Sequence, residues 1–170
     1  DSLGTKPLAN TQIIGQSGGG KTVLALFLEA SAAKYQANIV YFDKDRGAEI
    51  AIRARGGRYL TIQRGQSSGF APFKLEPTLN NQLFWEDLIR YCVTPKNQSL
   101  LPSEEAEIHN AVLALAALPT SIRSFEAVRQ NLPQINENGM AARLNKWCRN
   151  TGQLGWALDA EQDLFPTLSE

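Results

Sequence analysis

The sequence predicts an α/β fold, a parallel doubly wound sheet with an all-helical insertion. Three observations predict it. A glycine-rich loop, "GQSGGGKT" (15–22), joins a short apolar run to a strongly apolar segment of helical length. Two further apolar runs of strand length, "NIVYFD" (38–43) and "RYLTI" (58–62), follow at the spacing of βα units. From about Thr78 to Arg149 the pattern is helical, punctuated by Pro and Gly, and "GWALD" (155–159) then returns to a strand. The 170 residues suffice for one domain with a core. They divide into an αβ part over 1–74, a helical insertion over 75–150 and a return strand over 151–170.

"NTQII" (10–14) reads as the first buried strand, running into the loop. Thr22 opens a helix reaching about Tyr35, with Val23, Leu24, Leu26, Phe27 and Leu28 on a broad apolar face and no breaker. "NIVYFD" is continuously apolar, as a strand buried on both faces should be. A short helix follows from Gly47 to about Arg55, stopped by Gly56 and Gly57, and "RYLTI" is the next strand. "RGQSSGFAPF" (64–73) is a loop. Helices are then predicted over "NNQLFWEDLIRYC", over "SEEAEIHNAVLALAAL" with Ser103 as N-cap, over "SFEAVRQNL" and over "GMAARLNKWCR".

The loop carries the chemistry. Its spacing is G-x-x-x-x-G-K-[ST], between a strand and a helix, which is the context a phosphate-binding loop requires. Gly15, Gln16, Ser17, Gly18, Gly19 and Gly20 would turn successive backbone N–H groups toward phosphate oxygens, with glycine supplying the positive φ angles. Lys21 would place a cation on the β- and γ-phosphates, and Thr22 a hydroxyl on Mg²⁺. The helix dipole adds to the anion site. The expected ligands are a nucleoside triphosphate and Mg²⁺.

Hydrolysis also needs an acid to orient the metal and a group to position water. "IVYFD" ends in Asp43 and "WALD" ends in Asp159, each an approximation to an apolar strand closed by an acid. Asp43, Asp45 and Glu49 cluster in "FDKDRGAEI" (42–50), past the carboxyl end of a predicted strand, where open α/β sheets place ligands. Asp45 reads better as the N-cap of the next helix, leaving Asp43 and Glu49 as candidates for the metal shell and the water-positioning acid. Arg46, Arg53, Arg55, Arg58 and Arg64 form a local basic run. It is either a solvated face or a contact to a neighbouring subunit's γ-phosphate or to DNA.

The rest of the composition narrows the classes. Lys+Arg and Asp+Glu balance at 17 each, so no net field draws the chain to nucleic acid or anionic lipid. No signal peptide is legible and no apolar run is long enough to span a bilayer. Cys92 and Cys148 read as buried thiols, His109 as a structural or surface histidine, and Trp85, Trp147 and Trp156 as core. The abrupt ends lead us to expect a fragment of a longer polypeptide.

"KPLANTQIIGQSGGGKTVLALFL", "YFDKDRGAEIAIRARGGRYL", "SGFAPFKL" and "LNKWCRNTGQLGWALDAEQD" together resemble the large ATPase of type IV secretion systems, the CagE/TrbE/VirB class of conjugal transfer proteins. The resemblance covers nearly the whole chain, and "FDKDRGAEI" and "GGRYL" carry it more distinctively than the phosphate loop. It implies a RecA-like P-loop NTPase core in a much longer, hexameric motor, cytoplasmic and docked on the bacterial inner membrane beside other secretion components. It agrees on Lys21 and Thr22, makes Gly15 to Gly20 the cradle, and turns the acids of "FDKDRGAEI" toward the nucleotide. It counts against Asp43 and Asp159 as the Walker B acid, because the family's Asp-Glu strand lies downstream of the stretch that "GWALD" resembles. That strand and the arginine finger would then fall outside this chain. Gly18 and Gly19 stand where the family usually has small residues or Ala, which leaves phosphate binding intact.

The expected function is the ATP-binding part of an ATPase powering pilus assembly or substrate transfer, with Lys21, Asp43 and Glu49 as catalytic candidates. The alternative is a nucleotide-binding interaction module without turnover. A phosphate-loop kinase or GTPase is disfavoured, since no guanine-selecting N-K-x-D occurs.

Overall fold

The computed structural model describes residues 11–134 and 136–165. They fall into two compact units, the first ending at Leu60 and the second beginning at Thr61.

The first unit contains α1 (Lys21–Ala33) and α2 (Glu49–Ala54). Unbroken Ala and Leu spacing makes α1, and the glycine pair after Arg55 ends α2, with the Gly57 N–H donating to the Ile52 carbonyl at 3.0 Å. The expected parallel sheet is overturned: there is no β-strand among the described residues. The segments 11–14, 38–43 and 58–62 carry no regular structure, and Asn10 of the first lies outside the described residues. The physical reason is the absence of cover. A parallel strand holds only with ladder neighbours and with both faces packed. Here Ile14 is 84% and Phe42 94% exposed, and α1 buries no residue. Apolar runs of strand length are necessary for a buried sheet, not sufficient.

The second unit is helical, as the spacing beyond 78 predicted. It contains α3 (Leu79–Val93), α4 (Pro102–Ala116), α5 (Phe125–Gln130), α6 (Met140–Leu144) and α7 (Gly155–Leu158), with 3₁₀ turns at Pro72–Lys74, Thr120–Ile122 and Asn145–Trp147. Trp85, Ile89, Cys92 and Val93 line one face of α3; Ile108, Ala111, Val112 and Leu115 line one face of α4. Spacings of three and four residues put each set on a single stripe, and the stripes meet Phe125, Val128, Met140 and Leu144 in one core. Phe73 packs edge-on to Trp85 and Phe125, with centroids 5.9 and 4.7 Å away, and Trp85 Nε1–H donates to the Pro72 carbonyl at 2.8 Å. Trp85 is core; Trp147 and Trp156 are only half-buried.

Helix ends follow local chemistry. Thr78 Oγ1 accepts the Asn81 N–H at the start of α3. α4 begins before the expected Ser103 cap: Pro102 takes the first position and Glu104 reaches back to accept the Leu101 N–H at 2.9 Å. Past its end, the buried Arg123 donates to the carbonyls of Ala116, Leu118 and Leu75.

"GWALD" is a second correction: it forms the turn of helix α7 rather than a strand. A Cβ on Gly155 would lie 2.4 Å from the Cys148 carbonyl oxygen, and the Asp159 N–H donates to the Gly155 carbonyl at 3.1 Å. The segment therefore winds tightly where five apolar-rich residues alone read equally as a strand. The loop 68–70 lies along this terminal stretch: the Ser68 N–H donates to the Trp156 carbonyl, the Ala160 N–H to Phe70 and the Leu164 N–H to Gly69.

Candidate functional site

The glycine-rich loop ends at Gly20, which is the N-cap of α1 with φ 77°. Gly18 has φ 78°. A Cβ on either would meet nothing within 4 Å, so the backbone angle rather than crowding selects glycine here. The Gly19 N–H closes the turn on the Gln16 carbonyl at 3.1 Å. Among the described residues no side chain caps the leading N–H groups of α1, a helix of 13 residues with no acid in its first turn. Leading helix N–H groups without a side-chain partner are what an anionic group fits.

Lys21 Nζ donates to the carbonyls of Gly15 at 2.8 Å and Gln16 at 2.7 Å, so its ammonium is held at the loop itself. Thr22 is exposed. A Cβ on Gly47 would stand 3.6 Å from Thr22 Cγ2, which places the "DKDRG" turn against the first turn of α1. The structure thus brings Gly15 to Thr22 and the acidic signature together within one unit.

Within that turn Asp43, not Asp45, meets the start of α2: Asp43 Oδ2 accepts the Ala48 N–H at 2.8 Å and the Tyr59 hydroxyl at 3.1 Å. The Ala48 N–H draws the Asp43 carboxyl below the usual carboxylate range; burial opposes it, and the Tyr59 hydroxyl adds a smaller lowering. Glu49 lies between two guanidiniums. Arg46 donates twice to its Oε2, at 2.7 and 2.9 Å, and Arg53 donates to its Oε1 at 3.0 Å. These bonds, Arg46 first, lower its pKa too. Arg46 holds this pose at φ 57°, the left-handed region, an unfavourable backbone for a residue with a long side chain. Among the described residues no group of three or more His, Cys, Asp or Glu could hold a metal ion.

Sequence reading missed two members of this arrangement. Gly47 passed as a helix start and Tyr59 as a strand residue, yet Tyr59 reaches the same Asp43 oxygen as the Ala48 N–H. Of the basic run, Arg46 and Arg53 are engaged by Glu49, and Arg55 by Glu29.

The other residues singled out lie in the second unit. Asp159 is 4% exposed and its oxygens accept the Phe125 N–H at 3.3 Å and the Arg149 N–H at 2.9 Å. Burial raises its pKa, opposed by these two N–H groups. It ties α5 to the segment after α6. Both thiols are buried and unpaired, as expected. His109 Nδ1 lies 2.7 Å from Glu86 Oε1 on the exposed side of α4.

No family model matches the sequence. The chain is similar to the type IV secretion system protein virB4 of Brucella abortus (strain 2308), 42% identical over 179 residues that cover 96% of this chain and 22% of that protein. The virB4 protein of Bartonella henselae is 40% identical over 157 residues, 92% of this chain and 20% of its own length. The type IV secretion system protein PtlC of Bordetella pertussis is 37% identical over 176 residues, 96% of this chain and 21% of its own length. The chain spans about a fifth of the length of these curated relatives.

Proposed function

The chain is homologous to one segment of the VirB4 class of type IV secretion system proteins, and on that premise we propose that it is the triphosphate-binding part of a secretion ATPase. The observation that carries this reading is the uncapped start of α1, preceded by two glycines at positive φ and followed by Lys21 and Thr22. The ligand is ATP with Mg²⁺.

In this reading the loop N–H groups from Gly15 to Gly20 bind phosphate oxygens. Lys21 exchanges its two loop carbonyls for phosphate, a stronger partner for an ammonium because it carries charge. The Thr22 hydroxyl would hold Mg²⁺, whose chemistry is to neutralise phosphate charge. Asp43 and Glu49, whose donors favour the charged form, would supply the carboxylates for a bound metal. The parent protein works as a homo-oligomer, a hexamer by the resemblance, on the cytoplasmic face of the bacterial inner membrane with other secretion components. No helix among the described residues is long and apolar enough to cross a membrane.

The test is ATP binding to this chain with Mg²⁺, beside Lys21→Ala. Binding weakened at least about tenfold in the variant supports the reading, since removing a charged partner costs about 1.5–3 kcal/mol. Equal binding by both chains would reject it. A second reading, a nucleotide-holding module without turnover, draws on one observation: both carboxylate oxygens of Glu49 are already engaged by arginines. Phosphate release by this chain that Lys21→Ala abolishes would exclude that second reading.

A further inference from the structure

We infer that Tyr59 is a positioning residue for the nucleotide site: through its hydroxyl on Asp43 and its contacts with Arg53, it holds both acids of the turn whose Gly47 is set against Thr22. This rests on the reading that the glycine-rich loop binds Mg·ATP.

Three separate contacts converge on this one side chain and its backbone. The hydroxyl donates to Asp43 Oδ2 at 3.1 Å, across 16 residues of chain. The Arg53 guanidinium lies over the ring, 5.6 Å from its centroid. Arg53 Nη2 also donates to the Tyr59 carbonyl at 3.3 Å, while its Nε holds Glu49 Oε1 at 3.0 Å. Asp43 and Glu49 are thus joined through Tyr59 and Arg53, not through each other. Between them in sequence lies Gly47, the residue set against Thr22. A tyrosine is suited to this place. Its ring gives the guanidinium a face, and its hydroxyl donates to the Asp43 carboxylate. Phenylalanine would keep the first property and lose the second.

The consequence falls on the metal-dependent part of nucleotide affinity. Loop N–H groups and Lys21 act on phosphate with or without a metal, whereas a carboxylate repels phosphate and would help only through a cation. An Asp43 carboxylate released from Tyr59 would keep only the Ala48 N–H and would be held less firmly for a cation.

The experiment measures ATP affinity with Mg²⁺ and with EDTA for the parent chain, Tyr59→Phe, Asp43→Asn, the double variant and Lys21→Ala. Tyr59→Phe is expected to reduce the Mg²⁺-dependent gain about threefold or more, leaving affinity in EDTA unchanged, as loss of one hydrogen bond to a charged group predicts. The double variant should lose no more than Asp43→Asn alone, the signature of residues acting as a unit. An unaltered Mg²⁺ gain in Tyr59→Phe, or equal losses in Mg²⁺ and EDTA, would overturn the inference while Lys21→Ala still weakens binding. No binding by the parent chain, or equal binding by Lys21→Ala, would instead remove the reading beneath it, and the inference with it.

Discussion

Gly155 passes the Cys148 carbonyl so closely that a Cβ would lie 2.4 Å from its oxygen, with Arg149 Cα only 2.6 Å away. Both neighbours are backbone and cannot swing aside. Gly155→Ala is therefore expected to cost about 1–3 kcal/mol, the usual range for overpacking. Urea unfolding followed by far-UV circular dichroism reads this as a lower midpoint at constant slope. A midpoint equal to the parent's would show that the chain relaxes around the methyl group without cost.

Arg123 closes the far end of α4 with bonds to three carbonyls from two parts of the second unit. Arg123→Met keeps much of the aliphatic stem and orphans those acceptors. A loss of about 2–4 kcal/mol is expected, since buried groups left without partners each cost about 1–3 kcal/mol. Arg123→Lys should recover only part of it, because an ammonium cannot reach three divergent carbonyls with a fork.

Glu126 is held at about 2 by its Arg129 partner, from an ordinary 4.5. Its folded pKa is depressed, so the contribution is present above pH 4.5 and is lost as pH falls through the folded value, about 2. The pair is more than a third exposed on the glutamate side, so solvent holds the effect to about 1 kcal/mol or less. Buried Asp159 is raised and acts with the opposite sign in acid. The useful quantity is thus the difference between the parent chain and Glu126→Gln, which should narrow as the pH approaches 2 and stay constant near neutrality. A difference independent of pH would remove the ion pair as its source.

Burial pushes the Cys92 and Cys148 thiols up to about 12. Thiolate is the reacting form, so alkylation at pH 8 should be slow in the folded chain and fast in urea. Rapid labelling of either cysteine in the folded state would contradict the packing around it.

Gly20 has room for a methyl group but sits at φ 77°. Gly20→Ala should cost about 1–2 kcal/mol in backbone strain. ATP affinity, measured by titration, should fall with it as the loop opens toward angles alanine prefers.

The sequence made some of this legible and not the rest, for identifiable reasons. The loop and α1 were plain because glycine spacing and an unbroken helical face are local signals. So were α3 and α4, whose buried stripes repeat over whole turns. The sheet was not, because "NIVYFD" and "RYLTI" say that a strand is possible and nothing about what would flank it. "GWALD" was too short for its period to separate helix from strand, and the deciding contact comes from Cys148. In the candidate site, carboxylates could be picked out by type. Which of them meets the start of α2 was not legible, because Asp43 and Asp45 are equivalent in sequence and differ only in which points at the Ala48 N–H. Tyr59 left no chemical mark at all, since a tyrosine in an apolar run reads as packing.

The sparse burial of the first unit, where Val23, Phe27 and Phe42 all lie largely open, has a calorimetric consequence. Heat capacity of unfolding tracks the apolar surface newly wetted, and little remains there to be wetted. A thermogram of the whole chain should therefore show one endotherm, sized to the helical unit alone. Amide protons of α1 should exchange well before those of α3 and α4, whose opening must first separate Trp85 and Ile89 from Val112 and Leu115.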